Sequence, residues 1–328
     1  MTAPEALYSA ILDETSEVLV GNEDAIEALT IALLTNGHVL LEGVPGVAKT
    51  TIANLFAHAG NLDYQRIQMT PDVLPADITG THIYRENRGE FDLQRGPVFS
   101  NVVLADEINR ATPKTQSALL EAMEEGQVTI EGETLHLPKP FVVVATQNPI
   151  EYEGTFNLPE AQRDRFQFKV VVDVPERAAE REILERFHHE PSLKPTDIST
   201  VIDDADIGAA RSVVKDVHVD DKVFDYILDL VAATRDHEAI DFGASPRASL
   251  AFLHTSKAAA AIRGRAYVIP DDVKRLAPLI LSHRLVLGTE ADISGRTPRE
   301  LVAEVVSTVS MPGIERPESL PVSTADDD

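Results

Sequence analysis

Apolar positions change their period along this chain, and the changes mark its elements. Ala6, Leu7, Ile11, Leu12, Val18 and Leu19 recur at helical spacing and predict a helix over about 6–19. A second helical pattern runs from Asp24 to Leu34, with Val20-Gly21-Asn22-Glu23 between them as loop and cap. Short runs of another kind follow, at Val39-Leu40-Leu41, Tyr64 to Met69, Val102 to Ala105 and Phe141 to Thr146. The run at Val102 is continuously apolar, as a strand buried on both faces of a parallel sheet would be. Two stretches alternate instead and predict hairpins. One pairs Thr81-His82-Ile83-Tyr84 with Glu90-Phe91-Asp92-Leu93, and the other pairs Gln127-Val128-Thr129-Ile130 with Thr134-Leu135-His136-Leu137. Between the hairpins, Thr112 as N-cap and Pro113 at N1 open a helix to about Glu125, with Ala118, Leu119, Ala122 and Met123 on its buried face.

Beyond Val174-Pro175 the strand patterns stop. Residues 176–188 read as helix, 191–206 as a Pro-, Asp- and Ser-rich linker, and 207 onward as almost continuous helix with capped starts at Ser245-Pro246 and Pro270-Asp271. The last residues, 314–328, read as a disordered tail. No internal repeat is visible. The expected organisation is an α/β domain over 1–190 carrying hairpins at about 78–95 and 127–138, followed by a helical domain over 207–313.

Composition supports two domains: 328 residues, 43% of them hydrophobic, supply ample core. No apolar run approaches the roughly 20 residues of a membrane span, and Met1-Thr2-Ala3-Pro4-Glu5 does not open like a signal peptide, so the expectation is a cytoplasmic protein without membrane insertion. The absence of cysteine excludes disulfides, thiolate metal sites and cysteine nucleophiles. The ten histidines show no paired metal spacing, and His188-His189 reads as solvated. A net charge of −25 argues against nucleic acid as a partner. Nine lysines stand against twenty arginines, with acids spread along the whole chain. That pattern suggests adaptation to high salt, where screening removes self-repulsion.

Candidate chemistry lies at the ends of the apolar runs. Val39-Leu40-Leu41 leads into Gly43-Val44-Pro45-Gly46-Val47-Ala48-Lys49, then Thr50-Thr51 and a helical pattern through Ile52, Ala53, Leu55 and Phe56. Strand, phosphate loop and helix come in that order. Backbone N–H groups of such a loop, with a helix N-terminus behind it, bind phosphate oxygens. Lys49 would reach the β- and γ-phosphates of a nucleotide, and the Thr50 hydroxyl would ligate Mg²⁺. Ala48 replaces the second glycine of the full pattern, and the loop taken alone has a lesser, second reading as a glycine turn before a helix.

A second run makes coincidence a poor explanation, because it ends in Asp106-Glu107. Asp106 is placed to hold the Mg²⁺ shell and Glu107 to orient an attacking water. The third run ends in Gln147-Asn148-Pro149, where an amide would reach the γ-phosphate or the water, though Asn-Pro alone is turn chemistry. Leu158 to Phe166 carries Arg163 and Arg165, which read either as transition-state cations or as surface ion pairs.

Together these residues resemble the AAA+ superfamily and, within it, the MoxR family. The resemblance rests on Leu41 to Thr50, on Leu104-Ala105-Asp106-Glu107-Ile108-Asn109-Arg110-Ala111, on Gln116 to Met123, on Ala145 to Pro149 and on Leu158 to Gln162. In that family alanine is usual at the place of Ala48. The match spans roughly residues 15–310. It implies an AAA+ P-loop core of three αβα layers around a parallel sheet, with a C-terminal all-helical lid. It also implies Asn148 as sensor 1, Arg165 as an arginine finger acting on a neighbour's ATP, and Arg247, in Gly243-Ala244-Ser245-Pro246-Arg247, as the lid-borne γ-phosphate contact. Arg163 stands where the family more often has an apolar residue and is a second candidate cation. The hairpins resemble the helix-2 and pre-sensor-1 inserts, which in related rings face the pore or substrate. Val20-Gly21-Asn22 lies where such proteins contact adenine, with Asn22 in place of the commoner Gln.

The implied activity is Mg-dependent ATP hydrolysis by a ring, a hexamer, that remodels or matures partner complexes, together with a protein carrying a von Willebrand factor A domain. Two alternatives stand beside it. A nucleic-acid motor is disfavoured by the acidity, and an ATP-gated scaffold with little turnover is disfavoured by the presence of Glu107 and Arg165.

Overall fold

The computed structural model describes residues 3–87, 89–149, 156, 158–190 and 194–313. The tail expected over 314–328 lies outside them, as do three residues at the start of the expected linker. The chain divides into two compact units, Ala10–Asp203, and Asp204–Asp328 with Met1–Ser9.

Up to Asp203 the elements in chain order are α1 (Pro4–Ser16), α2 (Glu23–Thr35), β1 (Val39–Glu42), α3 (Lys49–Ala59), β2 (Tyr64–Gln68), α4 (Pro75–Thr79), β3 (Gly80–Arg85), β4 (Glu90–Arg95), β5 (Val102–Asp106), α5 (Pro113–Glu125), β6 (Gln127–Ile130), β7 (Glu133–His136), β8 (Val142–Gln147), α6 (Glu160–Arg163), β9 (Phe168–Val171) and α7 (Arg177–His189). Five strands form one parallel sheet in the order β2-β5-β8-β1-β9. Its middle strands β5 and β8 are buried at every position but Gln147, which is why their sequences are unbroken apolar runs. The edge strand β9 escapes that pattern because Lys169 interrupts it, paired to Glu42 of β1 at 2.6 Å. The two alternating stretches are hairpins, β3 with β4 and β6 with β7.

α5 begins and ends as the sequence predicts. Thr112 caps it by accepting the Thr115 N–H, Pro113 is its first residue, and Gly126 ends it in the left-handed region at φ 61°. Its buried face differs in part: Ala118 is half-buried, while Thr115, Gln116 and Leu120 join Leu119, Ala122 and Met123 inside. Leu119, Leu120, Ala122 and Met123 pack with Val103, Ala105, Val143, Ala145 and Phe166 on one side of the sheet. The first helix stops three residues short of its expected end, at Ser16, where Thr15 and Ser16 turn their hydroxyls back onto carbonyls of the preceding turn.

His38, just before β1, is a buried polar group with both ring nitrogens used. The Val143 N–H can only donate, so Nδ1 accepts it at 3.0 Å; Nε2 therefore carries the proton and donates to the Met123 carbonyl at 3.1 Å. Burial pushes the imidazole pKa down to about 4, against the Met123 bond, which raises it.

The second unit contains α8 (Asp204–Asp216), α9 (Asp221–Arg235), β10 (Ile240–Phe242), α10 (Pro246–Ala261), α11 (Pro270–Leu281), β11 (Val286–Leu287), α12 (Thr289–Ile293) and α13 (Pro298–Thr308). The expectation that strands end at Val174 is corrected by β10 and β11, an antiparallel pair of three and two residues, too short to show a period. Both capped helix starts are present. Ser245 accepts the Arg247 N–H at 3.2 Å, and Asp272 accepts the Ile269 N–H at 3.0 Å while paired to Arg265. Among the described residues no helix is long and apolar enough to cross a membrane.

Candidate nucleotide and metal site

Parallel strands deliver their C-terminal ends to one edge of the sheet, and the loops there carry the chemistry. The loop after β1 is shaped by its small residues. Gly43 donates its N–H to the Gln147 carbonyl at 3.2 Å, and a Cβ on it would meet the Val172 carbonyl oxygen at 2.3 Å, so only glycine passes there. Gly46 lies at φ 86° and Ala48 at φ 64°, the second being a left-handed alanine that costs about 1–2 kcal/mol. Ala48 caps α3 without a side-chain hydrogen bond. Residues 45–51 with Asp106, Glu107, Thr146 and Asn148 line a cavity of about 360 Å³ at this point.

Each of the acids is held by named groups. Asp106, the last residue of β5, is buried; its Oδ1 accepts the Thr146 hydroxyl at 2.6 Å, and its Oδ2 lies 3.4 Å from the Thr50 hydroxyl. The same Oδ2 takes Arg66 Nη2 at 2.6 Å and Nε at 3.0 Å. Glu107 follows in the left-handed region at φ 58°, and its N–H donates to Thr146 Oγ1 at 2.8 Å. Its Oε2 accepts Gln68 Nε2 at 2.7 Å and Arg110 Nη1 at 3.1 Å, while Arg66 Nη2 also donates to Gln68 Oε1 at 2.8 Å. Lys49 Nζ donates to the carbonyls of Gly43 and Val44, the latter at 3.0 Å. Tyr64, two residues before Arg66 on β2, has a buried hydroxyl whose pKa is pushed up to about 12, chiefly by burial.

Gly43 to Thr51, Asp106, Glu107 and Asn148 are thus gathered at one edge of the sheet, Asn148 buried at the end of β8. Arg165 lies outside the cavity wall, just after α6, and pairs through Nη2 with Glu124 of α5 at 2.8 Å. Arg163 is the last residue of α6. Arg247 belongs to the second unit, in the first turn of α10. Val20, Gly21 and Asn22 line a separate cavity of about 510 Å³ with residues 23–25, 170, 171, 173–176, 178 and 179, Asn22 being left-handed at φ 62°.

Sequence reasoning missed Arg66, Gln68, Arg110 and Thr146. Tyr64, Arg66 and Gln68 alternate along β2, and the register that pairs Gln68 with Asp106 turns that polar face toward the acids. The alternation was readable; the register was not.

The donors suit Mg²⁺. Thr50 and Asp106 offer one hydroxyl and one carboxylate, hard oxygens too few for a full shell, and Mg²⁺ fills the remainder with water and phosphate oxygens.

Residues 38–168 match the model of the ATPase family associated with various cellular activities, and residues 232–305 match that of the AAA lid domain. The protein YeaC of Bacillus subtilis is 45% identical over 309 residues, covering 93% of this chain and 95% of its own. The chaperone MoxR1 of Mycobacterium tuberculosis is 44% identical over 310 residues, covering 92% and 81%. A candidate ATPase from Cytophaga hutchinsonii, solved at 2.00 Å, superposes with a TM-score of 0.87 at 40% identity and covers 94% of this chain and 96% of its own. The residues matched by the ATPase model lie in the first unit and those matched by the lid model in the second. This chain belongs to the MoxR family of AAA+ ATPases.

Proposed function

We propose that this ATPase hydrolyses Mg²⁺-ATP as a homo-oligomeric ring, a hexamer, and uses the cycle to remodel or mature partner protein complexes. The observation that carries the chemical part is the convergence of the phosphate loop, Thr50, Asp106, Glu107 and Asn148 on one cavity. The loop N–H groups and Lys49 bind the phosphates. Thr50 and Asp106 hold the metal, which when bound neutralises charge developing on the phosphate oxygens. Glu107 orients and polarises the attacking water, and Asn148 hydrogen-bonds the γ-phosphate or that water. Arg165 leaves Glu124 to stabilise the transition state in the neighbour's site, and Arg247 contacts the γ-phosphate. Support for a protein substrate comes from the relative named a chaperone and from the net charge of −25, which disfavours nucleic acid. A partner with a von Willebrand factor A domain, a cytoplasmic location and adaptation to high salt complete the proposal.

ATP turnover per protomer, measured across protein concentration in molar KCl with Mg²⁺, tests it. A specific rate that climbs and then saturates is expected of sites completed in trans. Nucleotide binding without turnover at any concentration would sink it in favour of an ATP-gated scaffold.

A further inference from the structure

Arg66 bonds the oxygen that the metal needs. Its guanidinium bonds Asp106 Oδ2 twice, at 2.6 and 3.0 Å, and that oxygen is the one 3.4 Å from the Thr50 hydroxyl. The other carboxylate oxygen is committed to Thr146. Arg66 and a divalent cation held by Thr50 and Asp106 therefore draw on one and the same atom. The two sides of the ion pair also differ in freedom: the Arg66 side chain is 49% exposed, the Asp106 side chain 10%. The arginine can withdraw to water, whereas the aspartate, at the end of a buried strand, cannot. β2 is an edge strand, so no further strand of the sheet confines that side chain.

Resting on the reading of this cavity as a Mg²⁺-nucleotide site, we propose that Arg66 is a counter-cation to the metal carboxylate. It neutralises Asp106 and has to yield Oδ2 before Thr50 and Asp106 bind the metal, so it raises the metal concentration at which the ternary complex forms. Lys49, which lines the cavity, bonds loop carbonyls, and Arg110 bonds Glu107. Among the described residues, Arg66 is the cation that bonds Asp106 itself. Its second bond, to Gln68, leads on to Glu107, so its release also loosens one of the groups holding the water-orienting acid.

The test uses the full chain as wild type, Arg66→Gln and Arg66→Lys, with a non-hydrolysable imido analogue of ATP. Mn²⁺ binding is followed by loss of the free-ion paramagnetic resonance signal, and thermal unfolding checks that each variant is folded. Arg66→Gln is expected to bind Mn²⁺ at a half-saturating concentration about tenfold lower than wild type, because a competing positive charge is gone. Arg66→Lys keeps the charge without the two-pronged bond and falls between them. An equal midpoint in all three, or a higher one in Arg66→Gln, overturns the inference while leaving the nucleotide site intact. If wild type binds neither the analogue nor Mn²⁺, the reading of the cavity fails and takes this inference with it.

Discussion

The Thr146 hydroxyl donates to Oδ1 of Asp106 at 2.6 Å and accepts the N–H of Glu107 at 2.8 Å. One fully buried side chain thus positions both acids of the site. Thr146→Val keeps the β-branched shape that suits a strand and removes only the hydroxyl. The Glu107 N–H and one Asp106 oxygen lose their partner, at a cost of about 1–3 kcal/mol. The expected result is a lower melting temperature and ATP turnover down by about tenfold or more, with nucleotide affinity less affected. Thr146→Ser recovers most of both. Wild-type turnover in Thr146→Val would mean that the strands alone place the acids.

How much of this was legible depended on whether the information was local. The phosphate loop, the two acids and Asn148 sit at the ends of buried parallel strands, where an apolar run and a following turn are enough to mark them. The Thr112–Gly126 helix was legible for the same reason, since its cap, Pro113 and terminal glycine are all in the sequence. Arg66 and Thr146 were not, because what gives them a role is the neighbour strand: β5 lies between β2 and β8, and no pattern within β2 or β8 states that order. The Arg165–Glu124 pair spans two elements in the same way.

That pair bears on how the ring would work. If Arg165 serves a neighbouring site, the salt bridge to Glu124 has to be given up on assembly. Glu124→Gln is expected to change stability by less than about 1 kcal/mol, since both side chains are partly exposed. It should let the specific activity saturate at lower protein concentration. Arg165→Ala and Lys49→Ala should each be inactive alone. Mixed one to one, they should regain activity at about a quarter of the sites, where an intact pocket meets an intact finger. A mixture as inactive as its components would place Arg165 in its own protomer's chemistry.

Ala48 carries backbone strain that glycine would not. At φ 64° and ψ 17° its Cβ is in the left-handed region. Ala48→Gly is expected to stabilise the fold by about 1 kcal/mol while keeping nucleotide binding, with part of the relief offset by the greater freedom of glycine in the unfolded chain. The measurement is denaturant unfolding of both proteins, and a destabilised variant would show that the alanine methyl makes a contact worth more than the strain.

Salt should act in the direction opposite to its usual effect on ion pairs. With a net charge of −25, self-repulsion outweighs any single surface salt bridge, and salt screens it over a Debye length that shrinks to about 3 Å at 1 M. The melting temperature is expected to rise with KCl well into the molar range. A flat curve, with full stability in low salt, would remove high-salt adaptation from the proposal.

His38 gives stability a pH dependence of known sign. Its pKa is about 4 in the fold against an ordinary 6.5, and it is the neutral ring that the fold holds, with Nδ1 accepting and Nε2 donating. Above 6.5 both folded and unfolded chains carry it neutral, and it adds no pH dependence. Between 6.5 and 4 the unfolded chain takes up a proton that the folded chain refuses, so stability falls as pH falls. The fall levels off once the folded form is protonated as well, and its full size is about 3 kcal/mol. His38→Asn isolates this from the carboxylates. The amide oxygen can accept the Val143 N–H, but the shorter side chain cannot reach the Met123 carbonyl, which costs about 1–3 kcal/mol at neutral pH. That deficit is expected to shrink on acidification, because the variant has no imidazole to protonate on unfolding. Urea unfolding of both proteins from neutral pH down to about pH 5 reads it directly. A gap that stays constant across that range would mean that His38 titrates alike in both states.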